Sequence, residues 1–199
     1  MIKTLLIGFL VLFCQLCSLS QNLVDDKEEW FYGKVILAKG DTLLGTMQYE
    51  MQSGILKFRS EDNALRTFSA LQVISFDFYD TVLKTRRYFY SLTEHKKGDY
   101  GAPTFFGVLY FNENKISLFY KENTRYAPIW NTRAITREAY ELYFIFPDKS
   151  VRRYHKSRKS LFSILSEHHS ELKHFIDNKS LMIHNLNDLV KILEYYNNL

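Results

Sequence analysis

Five of the six histidines lie in the last third of the sequence, and imidazole nitrogens are common ligands of zinc. They are His155, His168, His169, His174 and His184. Their spacing does not favour a metal site, because residues five apart on a helix, such as His169 and His174, point to different faces. Glu171 with His174 supplies one Glu-x-x-His pair, whereas a di-iron bundle needs two. We therefore predict surface or interface histidines, no metal ligands and no cofactor.

A second candidate for chemistry is the basic stretch RRYHKSRK, which spans residues 152–159. Its cations are Arg152, Arg153, Lys156, Arg158 and Lys159. Such a cluster is ordinarily a solvated junction between two elements. In an exported protein it could also contact an anionic membrane surface or an acidic partner, and we keep membrane contact as an alternative. We predict no nucleic-acid partner.

Sequence patterns of hydrolytic enzymes are absent. The chain has no Gly-x-Ser-x-Gly elbow, and its acidic residues show no spacing that identifies a general acid and base. Asp77, Asp80, Asp99 and Asp148 are interpreted as turn or strand-edge residues. We therefore identify no catalytic and no cofactor-binding residue. An active site assembled from distant strands would leave no such pattern, so catalytic activity stays an open question at this point.

The first twenty residues have the pattern of a secretory signal peptide. Lys3 precedes an apolar run from Leu5 to about Leu16, which is shorter than the roughly 20 residues of a membrane-spanning helix. Small residues, Ser18 and Ser20, stand where a peptidase that cleaves after Ser20 requires them. We predict that residues 1–20 are removed and that the protein is exported to the periplasm or an outer-membrane surface.

Both cysteines, Cys14 and Cys17, fall inside the predicted signal peptide. A lipoprotein signal is the alternative, but Phe13 and Leu16 precede the two cysteines where a small residue is expected. Cleavage after Ser20 removes both cysteines, so the mature chain contains no thiol. Disulfides, thiolate nucleophiles and cysteine-ligated zinc are therefore excluded. The formal net charge of +4 indicates no particular partner.

Residues 21–154 have the pattern of an antiparallel β-rich region. The stretch GKVILAKGDTLLGTMQYE, residues 33–50, alternates apolar and polar residues around a Gly-Asp pair, which predicts a hairpin with Gly40 at positive φ. Similar segments follow up to Tyr154, for a total of nine or ten strands. The segment FFGVLYF is apolar on both faces, so we expect helices behind it or a sheet that curls into a barrel-like shape.

After Tyr154 the apolar residues recur at spacings of three and four, which predicts three short helices in residues 155–199. Asn185 or Asn187 is placed to cap the last helix. Its apolar stripe must dock on the sheet, because a helix this short is unstable alone. Strands followed by helices predict an α+β fold with the helical region packed on the sheet. We expect residues 197–199 to be dispensable.

The hairpin motif near the predicted mature start, the segments FFGVLYFNENKISLFY and ELYFIF, and the final LVKILEYYN resemble a family of uncharacterised secreted proteins of Bacteroidota. The resemblance covers most of the mature chain and implies a Gram-negative cell envelope. Its motifs are structural, so it carries no catalytic residues over to this sequence.

Two short motifs, Asp-Thr-Leu at Thr42 and Asp-Thr-Val at Thr81, resemble the O-glycosylation signal of exported proteins in that phylum. Each lies at a predicted turn, although this tripeptide is also ordinary at the start of a strand. From the sequence we expect an exported, non-catalytic envelope protein that acts as an interaction or scaffold module. The alternatives are a carrier of a small apolar ligand in a curled sheet and an envelope hydrolase.

Overall fold

The computed structural model describes residues 29–51, 53–81, 83–94, 101–122 and 140–199, so the predicted signal peptide lies outside the described residues. These residues form ten strands followed by three helices, which confirms the predicted α+β class and the predicted strand number. The strands are β1 (Phe31–Leu37), β2 (Thr42–Glu50), β3 (Ile55–Arg59), β4 (Leu65–Phe68), β5 (Val73–Asp80), β6 (Thr85–Thr93), β7 (Pro103–Tyr110), β8 (Ser117–Glu122), β9 (Tyr140–Ile145) and β10 (Val151–Tyr154). The helices are α1 (Arg158–Ile164), α2 (His169–Asn178) and α3 (Leu186–Asn197).

All ten strands belong to one sheet with the order β10-β9-β8-β7-β6-β5-β1-β2-β3-β4. Every neighbouring pair is antiparallel. The sheet is open, and the two four-residue strands β4 and β10 form its edges. Short edge strands leave few unpaired backbone groups exposed.

The β1–β2 hairpin has the turn that the sequence predicts. Gly40 has a φ of +94°, and its N–H donates to the Leu37 carbonyl at 2.9 Å. The Leu37 N–H in turn donates to the Asp41 carbonyl at 2.8 Å. Glycine adopts this left-handed backbone at no steric cost, so the prediction for Gly40 is confirmed.

The connection between β4 and β5 forces the sheet to curl. In a flat sheet the two strands would be four spacings apart, or about 19 Å. Their ends are also offset along the strands, because Phe68 is level with residue 29 while Val73 pairs with Leu37. The flat distance is then about 30 Å, whereas the linker of residues 69–72 reaches about 18 Å at most. Strands β1–β4 must therefore bend back toward β5 and β6.

Contacts across the curled half show how far the sheet bends. The Tyr49 ring on β2 lies 5.2 Å from the ring of Phe89 on β6 and 5.6 Å from that of Phe105 on β7. The hydroxyl of Ser91 on β6 donates to the carbonyl of Ala70, in the linker before β5, at 2.5 Å. The inner face of the sheet, defined by Tyr49, Phe89 and Phe105, is thus folded onto itself in β1–β7.

The helices cover the same inner face at the other end of the sheet. Leu118 of β8, Leu142 and Phe144 of β9 and Tyr154 of β10 share a buried core with the helices. The helical members include Leu161, Ile164, Leu172, Ile176, Leu189, Ile192 and Leu193. The predicted docking of the terminal helix is confirmed. Asn185 caps α3 by accepting from the Asp188 N–H at 3.1 Å.

The end of α3 is tied to the turn before β8 through Asn197, which is buried. Its side-chain amide donates to the Ile116 carbonyl at 2.8 Å, and its side-chain oxygen accepts from the Ile116 N–H at 3.2 Å. Lys115 donates to the Asn197 carbonyl. The expectation that residues 197–199 are dispensable is therefore wrong, because the amide satisfies two buried backbone groups.

We predict that Asn197→Ala lowers the free energy of unfolding by about 1–3 kcal/mol for each Ile116 group left unpaired. Urea denaturation measures the change. Asn198→Ala is the matched control, because the neighbouring Asn198 is exposed and its side chain bonds within α3, to the Glu194 carbonyl. Equal stabilities of the two variants would contradict the assignment.

Candidate functional site

The predicted surface position of the five histidines is confirmed, since all are exposed. The His169 ring stacks on Phe162 with 4.3 Å between centroids, and His174 pairs with Asn178 at 2.8 Å. Within the residues that the structure describes, no group of three or more His, Cys, Asp or Glu side chains is arranged to hold a metal ion.

The basic stretch is dispersed by the fold. β10 alternates, so Arg152 lies on the inner side of the sheet and Arg153 on the outer side. Four of the five cations have partners among the described residues. Arg152 lies 4.4 Å above the Phe146 ring, and Arg153 donates to Glu141 at 2.6 Å. Lys156 donates to the Tyr140 carbonyl at 2.6 Å, and Arg158 donates to Asp177 at 2.7 Å. Lys159 is exposed. Contact of this stretch with an anionic membrane stays a prediction.

The aspartates predicted at turns and strand edges have different environments. Asp148 is a turn residue that accepts from the Ser150 N–H at 2.9 Å, and Asp99 lies outside the described residues. Asp80 ends β5 and accepts from the Leu83 N–H at 2.8 Å, yet its side chain is fully buried. Asp77 lies within β5 and is buried as well. Both buried aspartates take part in ion pairs, which the sequence did not reveal.

Arg87 is the centre of a buried polar cluster on the inner face. One terminal nitrogen donates to the Tyr120 hydroxyl at 2.9 Å and to the Glu122 carboxylate, and the other lies 3.5 Å from Asp80. The guanidinium also lies over the rings of Phe89 and Phe78, at 5.0 Å and 5.8 Å. Strands β5, β6 and β8 each supply a member of this cluster.

A small cavity lies beside the cluster. Its lining includes Tyr49, Met51, Phe105, Gly107, Tyr120 and Glu122. Gly107 is required there, because the Tyr120 ring occupies the space that a Cβ atom would fill. The free volume is about 20 Å³, which holds about one water molecule. This cavity is therefore too small for an apolar ligand.

Burial dominates the electrostatics of this cluster. It raises the pKa of Glu122 above its usual range, against the opposing effect of the Arg87 charge. Burial also raises the pKa of Tyr120 to about 12 and raises that of Tyr49. Burial opposes the charge on Arg87, but Tyr120 and Glu122 outweigh it and raise the pKa of the guanidinium. Arg87 thus stays charged while the neighbouring tyrosines stay neutral.

The cluster has the properties of a structural ion pair. The guanidinium is occupied by Asp80, Tyr120 and Glu122, and only Glu122 has a partly exposed carboxylate, at 13%. Burying two carboxylates with one cation is tolerated only while the cation is present.

We predict that Arg87→Met lowers the free energy of unfolding by about 3–5 kcal/mol, because two buried carboxylates lose their cation. The matched control is Arg158→Met, which breaks the exposed ion pair with Asp177. An exposed ion pair contributes about 0–1 kcal/mol to the free energy of unfolding. Chemical denaturation of both variants at neutral pH gives the comparison, and equal losses would argue against a structural cluster.

The raised pKa of Glu122 also predicts a pH dependence. The folded state holds this proton more tightly than the unfolded chain, so the contribution of Glu122 to stability is full below the ordinary carboxyl pKa and is lost as pH rises through the raised folded pKa. Glu122→Gln imitates the protonated form. Its stability relative to the parent should therefore increase as the pH is raised from 4 to about 7.5. A difference that does not change with pH would contradict this prediction.

The outer face of the sheet, opposite the Arg87 cluster, carries two neighbouring rows of side chains that combine exposed apolar and charged residues. Leu44, Lys34, Asp77 and Tyr88 are successive partners across β2, β1, β5 and β6. Tyr32 and Tyr79 lie level with each other, one residue beyond the Gly33–Phe78 pair, and Arg86 is the partner of Tyr79. We call these seven residues the outer strip: Tyr32, Lys34, Leu44, Asp77, Tyr79, Arg86 and Tyr88.

An ion-pair ladder runs through the outer strip. The Arg86 Nε donates to Asp77 Oδ1 at 2.7 Å, and the Lys34 ammonium lies 3.8 Å from Asp77 Oδ2. The hydrogen bond to Asp77 raises the pKa of Arg86. The carboxylate is only 8% exposed, whereas the Lys34 and Arg86 side chains are 42% and 51% exposed. The surface therefore presents two cations and three tyrosines, with their counter-charge beneath.

A comparison of the chain with protein-family models, with curated proteins and with solved structures finds no match. Among the described residues, no helix has the length and apolar character needed to cross a membrane. Thr42 and Thr81 are both exposed, at the start of β2 and in the β5–β6 turn, and their modification stays a prediction.

Proposed function

We propose that the protein is an exported, non-catalytic interaction module of the cell envelope and that the outer strip is its binding surface. One observation carries the proposal: Tyr32, Leu44, Tyr79 and Tyr88 are between 47% and 58% exposed, side by side on four adjacent strands. Grouped exposure of large apolar side chains on a folded surface is typical of an interaction site.

The composition of the outer strip supports this proposal. Tyrosine and arginine are enriched among the residues that dominate binding energies, because each combines apolar area with a polar group. Asp77 holds Arg86 by a hydrogen bond, and the Arg86 guanidinium lies 6.0 Å from the Tyr88 ring centroid. These contacts restrict the side chains before binding and so reduce the entropy that binding costs.

The inner face supports the same choice. Rings of Tyr49, Phe76, Phe89 and Phe105 contact one another where an apolar ligand of a carrier would lie. Two carboxylates on the inner face, Asp80 and Glu122, are bound to Arg87 and so are not a free acid and base pair. Export and an envelope location rest on the predicted signal peptide and on the resemblance to secreted proteins of Bacteroidota.

The proposal is tested with the mature chain immobilised and exposed to the envelope fraction of the cells that produce it. We expect saturable retention of an envelope component, reduced at least about tenfold by the double variant Tyr79→Ser/Tyr88→Ser. The matched control is Leu71→Ser/Met182→Ser, which removes two exposed apolar side chains outside the strip. Equal retention by the parent and by the strip variant would overturn the proposal.

A further inference from the structure

We propose that the outer strip binds an acidic polysaccharide, that is, a chain of sugar rings bearing carboxylate groups. This inference rests on the proposed function of the strip as a binding surface. Three features of the described residues carry it: the type of exposed side chain, the sign of the exposed charge, and the openness of the surface.

The exposed apolar groups of the strip are mainly tyrosines. Tyr32, Tyr79 and Tyr88 each offer a ring face together with a hydroxyl group. A sugar ring has the matching character, because its axial C–H bonds form an apolar face and its hydroxyls form a polar rim. Tyrosine is suited to such a wet contact, since one end of the side chain is apolar and the other is polar.

The exposed charge of the strip is positive. Lys34 and Arg86 are accessible, whereas Asp77, the carboxylate between them, is buried beneath them. The Nε and one Nη group of Arg86 already donate to Asp77, but a guanidinium has five N–H donors, so Arg86 has further donors for a second carboxylate. A carboxylated sugar therefore complements the strip in charge as well as in apolar shape.

The sign of the charge also argues against a second copy of the chain as the occupant. Two copies packed through this surface would bring four cations, Lys34 and Arg86 of each protomer, into one interface that holds only two Asp77 carboxylates. An excess of like charge in an interface is unfavourable.

The backbone argues against an extended peptide that adds a strand. β1, β5 and β6 each have hydrogen-bonded neighbours on both sides, so the strip has no free strand edge. Recognition must come from side chains on an open surface. The row from Leu44 to Tyr88 crosses three strand spacings, about 14 Å, which suits a short length of a polysaccharide chain.

The test uses the mature full chain and polygalacturonate as the acidic polysaccharide, with fully methyl-esterified polygalacturonate as the uncharged chain. Isothermal titration calorimetry at a fixed low salt concentration measures the affinity for each of the two polymers. We expect binding to polygalacturonate, at least tenfold weaker binding to the methyl ester, and at least tenfold weaker binding of Tyr79→Ser. Arg86→Gln should reduce the preference for the charged polymer, because Lys34 is then the cation left on the strip. Leu71→Ser, outside the strip, should bind as the parent does.

Poly-glutamate and anionic phosphatidylglycerol vesicles separate sugar recognition from attraction of any polyanion. Binding to either that is as tight as to polygalacturonate overturns the inference, as does absence of binding to polygalacturonate. The envelope experiment is read independently. If Tyr79→Ser/Tyr88→Ser loses a component that protease destroys, the proposed function stands and the polysaccharide inference fails. If Tyr79→Ser/Tyr88→Ser retains every component that the parent retains, the proposed function and the polysaccharide inference both fail.

Discussion

The four-residue linker between β4 and β5 is the constraint on which the rest of the structure depends. Because it is far shorter than the distance between these strand ends in a flat sheet, the first four strands must bend over the next three. The bend makes neighbours of residues that are distant along the sheet, such as Tyr49 of β2 and Phe105 of β7. One face becomes an enclosed aromatic core, and the other face carries the outer strip on β2, β1, β5 and β6.

This division explains why two arginines that are adjacent in sequence have opposite roles. Strand alternation sends Arg87 into the enclosed core, where it compensates Asp80 and Glu122, and sends Arg86 outward to Asp77. The inner arginine is held on several sides and contributes to stability. The outer arginine is half exposed and is able to exchange water for a ligand. Both faces therefore use an Arg–Asp pair, but burial determines what each pair does.

Local patterns in the sequence were sufficient to predict the strands, the hairpins and the helices, because alternation and turn residues act over a few positions. The pairing of β1 with β5 was beyond such patterns, since it depends on a linker length and on register across distant strands. Arg87 and Phe89 are two residues apart on β6 and so lie on the same face of the sheet, which was a detectable sign that the Arg87 side chain points inward. Its partner Glu122, 35 residues away, and the buried role of Asn197 could be found only from the structure.

The pairing of Asn197 with the backbone of Ile116 joins residues that are 81 positions apart in the sequence. A contact of this kind closes a long loop, and closing a long loop costs chain entropy. Contacts between distant residues are also associated with slow folding. The buried amide and carbonyl of the turn before β8 therefore obtain their partners only after the last helix has docked, which makes this contact a late step in folding.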